Sequence, residues 1–265
     1  MLKINFAGRT FVLDGKEGAD LVAQQMENGS YEAPLPMLVM AFVARTKGMF
    51  VDVGANSGVY SILASKARPG VQVAAFEPFP PVANVLLQNL RANDLDRDVI
   101  VYPLALSDSA GSVPLFVPDP SHGLLETSAS LEADFKPYNQ TITVEKRRLD
   151  DIKLSQTIAV IKADIEGHEA AFLHGATATL ERDRPVIFAE MLPGASKHFY
   201  GLTKMLTQRD YLLFRLRTQC VIGCWAIEHD PASWNYAFVP RERFSLLREC
   251  CQAHDLEMFR FYEEN

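Results

Sequence analysis

Cysteine is scarce in this 265-residue chain, with four residues in all. Cys250 and Cys251 are adjacent, a spacing that strains a disulfide. Cys220 and Cys224 have no second pair nearby to complete a zinc set. Reduced thiols and a cytoplasmic location are the expectation. Dense charge of one sign is also lacking. Lys and Arg number 26 against 33 Asp and Glu, a formal charge of −7, and the largest basic run is Lys146-Arg147-Arg148. That argues against nucleic acid as the main partner. No long hydrophobic run exists; Met37 to Ala44 is far too short to span a bilayer, and Met1 to Phe6 lack the apolar core of a secretory signal. No membrane partner is expected. What is present is ordinary for a globular protein: 48% apolar and 22% charged residues, enough to bury a substantial core.

The chain shows no internal repeat and no linker between two domains. Residues 1–14 alternate around Gly8 and predict a β-hairpin. Residues 17–28 and 35–46 read as helices, the second opening near Pro36 and ending before Gly48. From Phe50 onward strands and helices alternate. Strands are predicted at 49–53, 72–76, 99–103, 158–163 and 185–190, and helices at 58–67, 79–93 and 168–182. Such alternation implies parallel strands, right-handed crossovers and helices on both faces. Residues 104–149 interrupt it with strands at Val113 to Phe116 and Thr141 to Arg148. Between those strands lies a polar loop over 118–140, which is long for a compact domain. The tail predicts antiparallel strands at Tyr211 to Arg217, Cys220 to Ile227 and Asn235 to Val239, then a helix from Arg241.

The most informative stretch is 49–58. An apolar strand with Asp52 near its end runs into Gly54 and Gly58, a helix begins at Val59, and the next apolar strand ends in Glu77. Strand, glycine turn, helix, strand and acid is the arrangement that holds an adenosine-containing cofactor at the carboxyl edge of a parallel sheet. A dinucleotide fingerprint starting at Gly54 would need glycine at 56 and 59, where Asn56 and Val59 stand. Asn tolerates a left-handed backbone, so the turn survives. Asp52 would repel a diphosphate but suits the ammonium of a methionine moiety. Charge therefore favours S-adenosylmethionine over NAD, and Glu77 is placed to accept from ribose hydroxyls.

Two further strands end in acids at the same edge. Residues 160–169 deliver Asp164, followed by Glu166, Gly167, His168 and Glu169 at a predicted helix start, and 184–190 deliver Glu190. Glu166 and Glu169 suit a helix N-terminus. Asp164 has no capping task there. Asp52, Glu77, Asp164 and Glu190 at one rim would repel each other without a cation. A sulfonium with its ammonium would serve, and so would Mg²⁺, which the sequence does not otherwise indicate.

With these constellations in place, the chain resembles the FkbM-type class I S-adenosylmethionine-dependent methyltransferases. The segments that carry the resemblance are Phe50-Val-Asp-Val-Gly-Ala-Asn-Ser-Gly58, Ala75-Phe-Glu-Pro-Phe-Pro80, Leu104-Ala-Leu-Ser-Asp108, Ile161-Lys-Ala-Asp-Ile-Glu-Gly-His-Glu169, His174-Gly-Ala176 and Arg184-Pro-Val-Ile-Phe-Ala-Glu190. They span roughly 48–217. The resemblance implies a Rossmann-like, seven-stranded, mostly parallel sheet whose last strand is antiparallel. It also implies methyl transfer, usually to oxygen, on sugars, polyketides or other small secondary metabolites. By the same resemblance Asp52, Gly54, Asn56 and Gly58 surround the methionine part and Glu77 holds the ribose. Pro78 and Phe79 flank the adenine, and Leu106, Ser107 and Asp108 border it. Asp164 lies next to the transferring methyl. Residues 1–48 would be an N-terminal extension of hairpin and helices serving as a lid, and 49–265 the methyltransferase domain.

A hydroxyl acceptor needs a base, and the candidates are Asp164, Glu190, His168 and His122. Two other readings stay open: a nicotinamide-dependent oxidoreductase on a similar sheet, and a non-catalytic cofactor-binding protein. Leu124, Leu125, Phe135 and Tyr138 in the long loop fit a small organic acceptor. The acceptor itself, the metal requirement and a homo-oligomeric state are open.

Overall fold

The computed structural model describes residues 1–14, 19–118, 129–134 and 136–259. Strands β1 (Leu2–Phe6) and β2 (Arg9–Leu13) pair antiparallel. Their alternation buries Ile4, Phe6, Phe11 and Leu13 on one face. Helix α1 (Ala19–Glu27) follows, then α2 (Leu35–Arg45), with Pro36 in its first turn where a missing N–H costs nothing. Helix α2 buries Leu35, Leu38, Val39, Phe42 and Val43 completely or nearly so.

The alternating layer comes next: β3 (Met49–Val53), α3 (Val59–Ala67), β4 (Val73–Phe76), α4 (Pro80–Ala92) and β5 (Val99–Tyr102). Strands β6 (Ala105–Leu106), β7 (Gly111–Pro118) and β8 (Tyr138–Arg147) form a separate three-stranded sheet in the order β6-β8-β7. The main layer resumes with β9 (Ile158–Ala163), α5 (Glu169–His174), α6 (Thr177–Asp183), β10 (Val186–Glu190) and α7 (Phe199–Thr207). It closes with β11 (Tyr211–Arg217), β12 (Cys220–Cys224), β13 (Asn235–Pro240), α8 (Phe244–Ala253) and β14 (Glu257–Phe259).

Among the described residues nine strands make the main sheet, in the order β14-β12-β11-β13-β10-β9-β3-β4-β5. The seven expected strands are the run from β11 to β5. Within it β13, the last in sequence, is antiparallel to both neighbours, and β10, β9, β3, β4 and β5 are parallel. Two more strands continue the sheet beyond β11. β12 stops at Cys224, short of the expected Ile227, and β14 was not legible because only three residues of it pair.

Helices cover both faces. One core joins the N-terminal hairpin and α2, α3, α4 and α8 to the face carrying Phe50, Val160 and Phe188. The other joins α5, α6 and α7 to Val51, Ile161 and Ile187. The single helix expected over 168–182 is instead two. Gly175 passes so close beneath the small sheet that a Cβ there would stand 1.9 Å from the Ser107 carbonyl oxygen. The second helix restarts under a cap from another element: Asp150 accepts from the N–H of Ala178 (2.9 Å) and of Thr179 (2.8 Å). A local pattern cannot reveal a cap supplied from elsewhere in the chain.

Candidate active site

Register brings the motifs together. Val53 pairs with Phe76 on one side and Ala163 on the other, so β4, β3 and β9 end at one level. The glycine turn follows, with Gly54 at φ 73°, Asn56 at φ 50° and Gly58 at φ 90°. Asn56 thus takes the left-handed conformation that its side chain tolerates. A Cβ on Gly54 would lie 1.9 Å from the Asp164 carbonyl oxygen, so glycine lets the two loops touch. The two N–H groups of Gly54 and Ala55 both donate to the Phe76 carbonyl.

Above these strand ends lies a cavity of about 1160 Å³, larger than the usual pocket for one small ligand. Its wall includes Gly54, Asn56, Glu77, Pro78, Phe79 and Leu106 from the β3 and β4 side. Asp164, Glu166 and His168 after β9, and Glu190, Leu192, Pro193, Lys197 and His198 from the end of β10 onward, also line it, as does Trp234. Gly58 starts α3 and is not part of the wall.

Glu77 is held firmly. Its Oε2 accepts from the Asn56 N–H (3.0 Å) and its Oε1 from the Phe79 N–H (2.9 Å). Burial nevertheless pushes its carboxyl up to about 7, against those two hydrogen bonds. Each oxygen keeps a lone pair for a hydroxyl donor. A locked acid in the wall beside a glycine turn fits the ribose of an adenosine cofactor.

Asp164 and Glu190 follow the paired Ala163 and Ala189 at the ends of β9 and β10 and share a hydrogen bond. Lys162 on β9, two residues before Asp164, donates from Nζ to Asp164 Oδ2 at 2.9 Å. Burial alone would raise Asp164, but the Lys162 charge and hydrogen bond hold it below the ordinary carboxylate range. Glu190 moves the other way: burial first, then the negative charge of Asp164, push it up to about 9. The pair therefore carries one proton near neutral pH, on Glu190, and one negative charge, on Asp164. Burial works against the Lys162 ammonium too, yet the charges of Asp164, Glu32 and Asp52 raise it overall.

Asp52 departs from expectation. It is fully buried behind the turn, its Oδ2 accepting from the Ser61 hydroxyl at 2.6 Å, and it is not part of the cavity wall. Helix α3 packs over the strand position that carries it, so three acids rather than four reach the rim. The compensating cation is one the sequence reading missed, Lys162. Its signal was a lysine inside an apolar strand buried on both faces, where a charge requires a partner.

His168 has both ring nitrogens engaged. Nδ1 pairs with Glu132 Oε1 at 2.8 Å and Nε2 with Ser107 Oγ at 2.9 Å. Ser107 is fully buried, and Asp108, paired with Lys146, is mostly exposed; neither is part of the cavity wall. Glu132 belongs to the segment 129–134, whose Ala129, Leu131, Glu132 and Asp134 line the cavity. Ser130 exchanges two backbone hydrogen bonds with Phe116 (2.8 and 3.1 Å) and donates its hydroxyl to the Glu166 carbonyl at 2.8 Å. His122, Leu124, Leu125 and Phe135 lie outside the described residues. Glu169 opens helix α5. Its Oε1 accepts from the Ile165 N–H at 2.9 Å, which closes the turn after Asp164, and burial pushes its carboxyl up to about 8. Among the described residues no group of three or more His, Cys, Asp or Glu could hold a metal ion. Likewise no helix is long and apolar enough to cross a membrane.

A family model, the methyltransferase FkbM domain, matches residues 52–216. The methyltransferase sdnD of Sordaria araneosa is 31% identical over 157 residues, 47% of this chain and 59% of that protein. The 2-O-methyltransferase NoeI of Sinorhizobium fredii (strain NBRC 101917 / NGR234) is 27% identical over 162 residues, 55% of this chain and 64% of that protein. The chain thus spans about three fifths of the length of these curated relatives. The crystal structure of a methyltransferase FkbM from Methylobacillus flagellatus KT aligns at a TM-score of 0.49 and 18% identity, covering 72% of this chain and 43% of that one.

Proposed function

From the membership of this chain in the FkbM methyltransferase family, we propose that it transfers a methyl group from S-adenosylmethionine to a hydroxyl of a small organic acceptor. The observation that carries the oxygen assignment is the Asp164–Glu190 pair in the cavity wall. An amine can attack as its free base, whereas a hydroxyl must surrender a proton as it attacks. The pair offers one ionised carboxylate for that proton. A relative at 27% identity is named a 2-O-methyltransferase, which supports the same reading.

In this reading Glu77 accepts from the ribose, Pro78, Phe79 and Leu106 enclose the adenine, and Gly54 and Asn56 line the path toward Asp164. When bound, the cofactor supplies an electrophilic methyl and a neutral thioether leaving group, so no acid is needed for departure. Asp164 takes the acceptor proton, held in place by Lys162. Glu190 orients Asp164 through their shared hydrogen bond. His168 positions the wall rather than acting as base, because both its nitrogens are occupied. The segment 129–134 and the 193–198 turn keep water from the reacting groups.

The test is transfer of labelled methyl from S-adenosylmethionine to a panel of hydroxylated and amine acceptors. Asp164→Asn is expected to lower turnover on a hydroxyl acceptor by about a hundredfold or more. It should still bind S-adenosylhomocysteine. Methylation of amines alone would overturn the oxygen assignment, and unchanged turnover by Asp164→Asn would remove Asp164 as the base.

A further inference from the structure

A further part of the cavity is used by neither the adenosine nor the acceptor. It runs under the N-terminal segment and is walled by Leu13, Asp14, Tyr31, Glu32, Tyr60 and Lys162. Lys162 sits on β9 in register with Asp52 of β3, and the residue is 4% exposed. Its ammonium stands 4.7 Å from the centre of the Tyr60 ring, on the first turn of α3. The Tyr60 hydroxyl donates to Glu32 Oε2 at 2.6 Å. Glu32 itself lies on the turn before α2 at φ 43°. One tyrosine therefore stands between a buried cation and a carboxylate, its ring to one and its hydroxyl to the other.

We propose that Lys162 and Glu32 form the subsite for the amino-acid end of the cofactor, Lys162 facing its carboxylate and Glu32 its ammonium. This rests on the reading of the cavity as an S-adenosylmethionine site. A cation and an anion set apart across an aromatic wall complement an α-amino acid, which carries both charges on one carbon. Asp52, the acid the sequence offers for the ammonium, is sealed behind the turn with Ser61 on one oxygen. Glu32 and Asp14 are the acids that the N-terminal segment brings to the cavity wall, and Glu32 is the one joined to the Lys162 side of it through Tyr60. Lys162 has three N–H donors; Asp164 takes one, which leaves the ammonium able to serve a ligand carboxylate as well. The N-terminal segment thus completes the cofactor site.

The experiment is calorimetric titration of the full chain with two ligands. S-adenosylhomocysteine carries the amino acid; 5′-deoxy-5′-methylthioadenosine has the same adenosine and thioether without it. Wild type, Glu32→Gln and Lys162→Met are compared, with Lys162→Arg as a charge-retaining variant and thermal unfolding as the folding control. Glu32→Gln and Lys162→Met are each expected to weaken S-adenosylhomocysteine by about tenfold or more. Both should leave methylthioadenosine affinity within about twofold, and Lys162→Arg should recover part of the loss. Unchanged S-adenosylhomocysteine affinity in folded Glu32→Gln, or equal weakening of both ligands, overturns the subsite. Wild type that binds neither ligand overturns the cofactor reading itself, a result distinct from the other two.

Discussion

At the scale of single residues, three wholly or largely buried carboxyls share one electrostatic signature. Glu77, Glu169 and Glu190 are all pushed up by burial, to about 7, about 8 and about 9. Each folded value lies above the ordinary unfolded carboxylate value, so the folded state holds protons that the unfolded state has released. The stability these groups contribute is complete below the unfolded value, near 4.3, and is lost as pH rises through 7 to 9. The ligand-free protein is therefore expected to unfold at progressively lower temperature from pH 5 to pH 9. Glu169→Gln should remove the part of that decline below about pH 8, and a variant whose melting temperature tracks wild type across the whole range would sink this account. Much of this chemistry was legible in the sequence, since strand-end acids at 77, 164 and 190 follow from hydrophobic runs broken by carboxylates. Lys162, Glu32 and Tyr60 were not, because their roles depend on which elements pack together. Asp52 was misplaced for the same reason: its strand position was clear, but the helix laid over it was not.

Among the elements, the segment 129–134 is held by the Phe116–Ser130 bridge, the Ser130 hydroxyl on Glu166 and the Glu132–His168 pair, with Ala129 and Leu131 packed against the core around Leu115 and Val144. The Ser130 hydroxyl also accepts from the Glu132 N–H at 3.0 Å. Ser130→Ala removes two of these hydrogen bonds at once, a loss of about 1–3 kcal/mol. Amide exchange within 129–134 is expected to speed up by about tenfold or more while the β3 and β9 amides stay protected. Equal protection in variant and wild type would show that the strap is held by something else. The sequence pattern marked this region only as a long polar loop, because its order comes from contacts with the turn after Asp164. The break between α5 and α6 was hidden for a related reason, since the Asp150 cap arrives from another part of the chain.

For the whole molecule, the parallel strands were legible from the strand–helix alternation, and the antiparallel β13 from the closely spaced strands of the tail together with the family resemblance. The boundary expected at residue 48 is a boundary of motifs; the packing runs across it. Phe42 on α2 meets Phe188 on β10 edge to face, with ring centroids 5.7 Å apart. Asn93, the C-cap of α4, holds both backbone polar groups of Val12 at 3.0 and 2.7 Å. We propose that residues 1–48 act as a fixed part of the methyltransferase domain. Phe42→Ala is then expected to destabilise the whole chain by about 3–5 kcal/mol, in a single denaturation transition common to circular dichroism and fluorescence. A separate early transition confined to the N-terminal elements would contradict that. The protein has two tryptophans, Trp234 in the cavity wall and Trp225 at 67% exposure to water. Replacing Trp225 by phenylalanine would leave one indole, and its emission colour and access to iodide would follow whatever fills the cavity beside it. The cavity thus carries its own dye, and candidate molecules can be sorted by light before any methyl group moves.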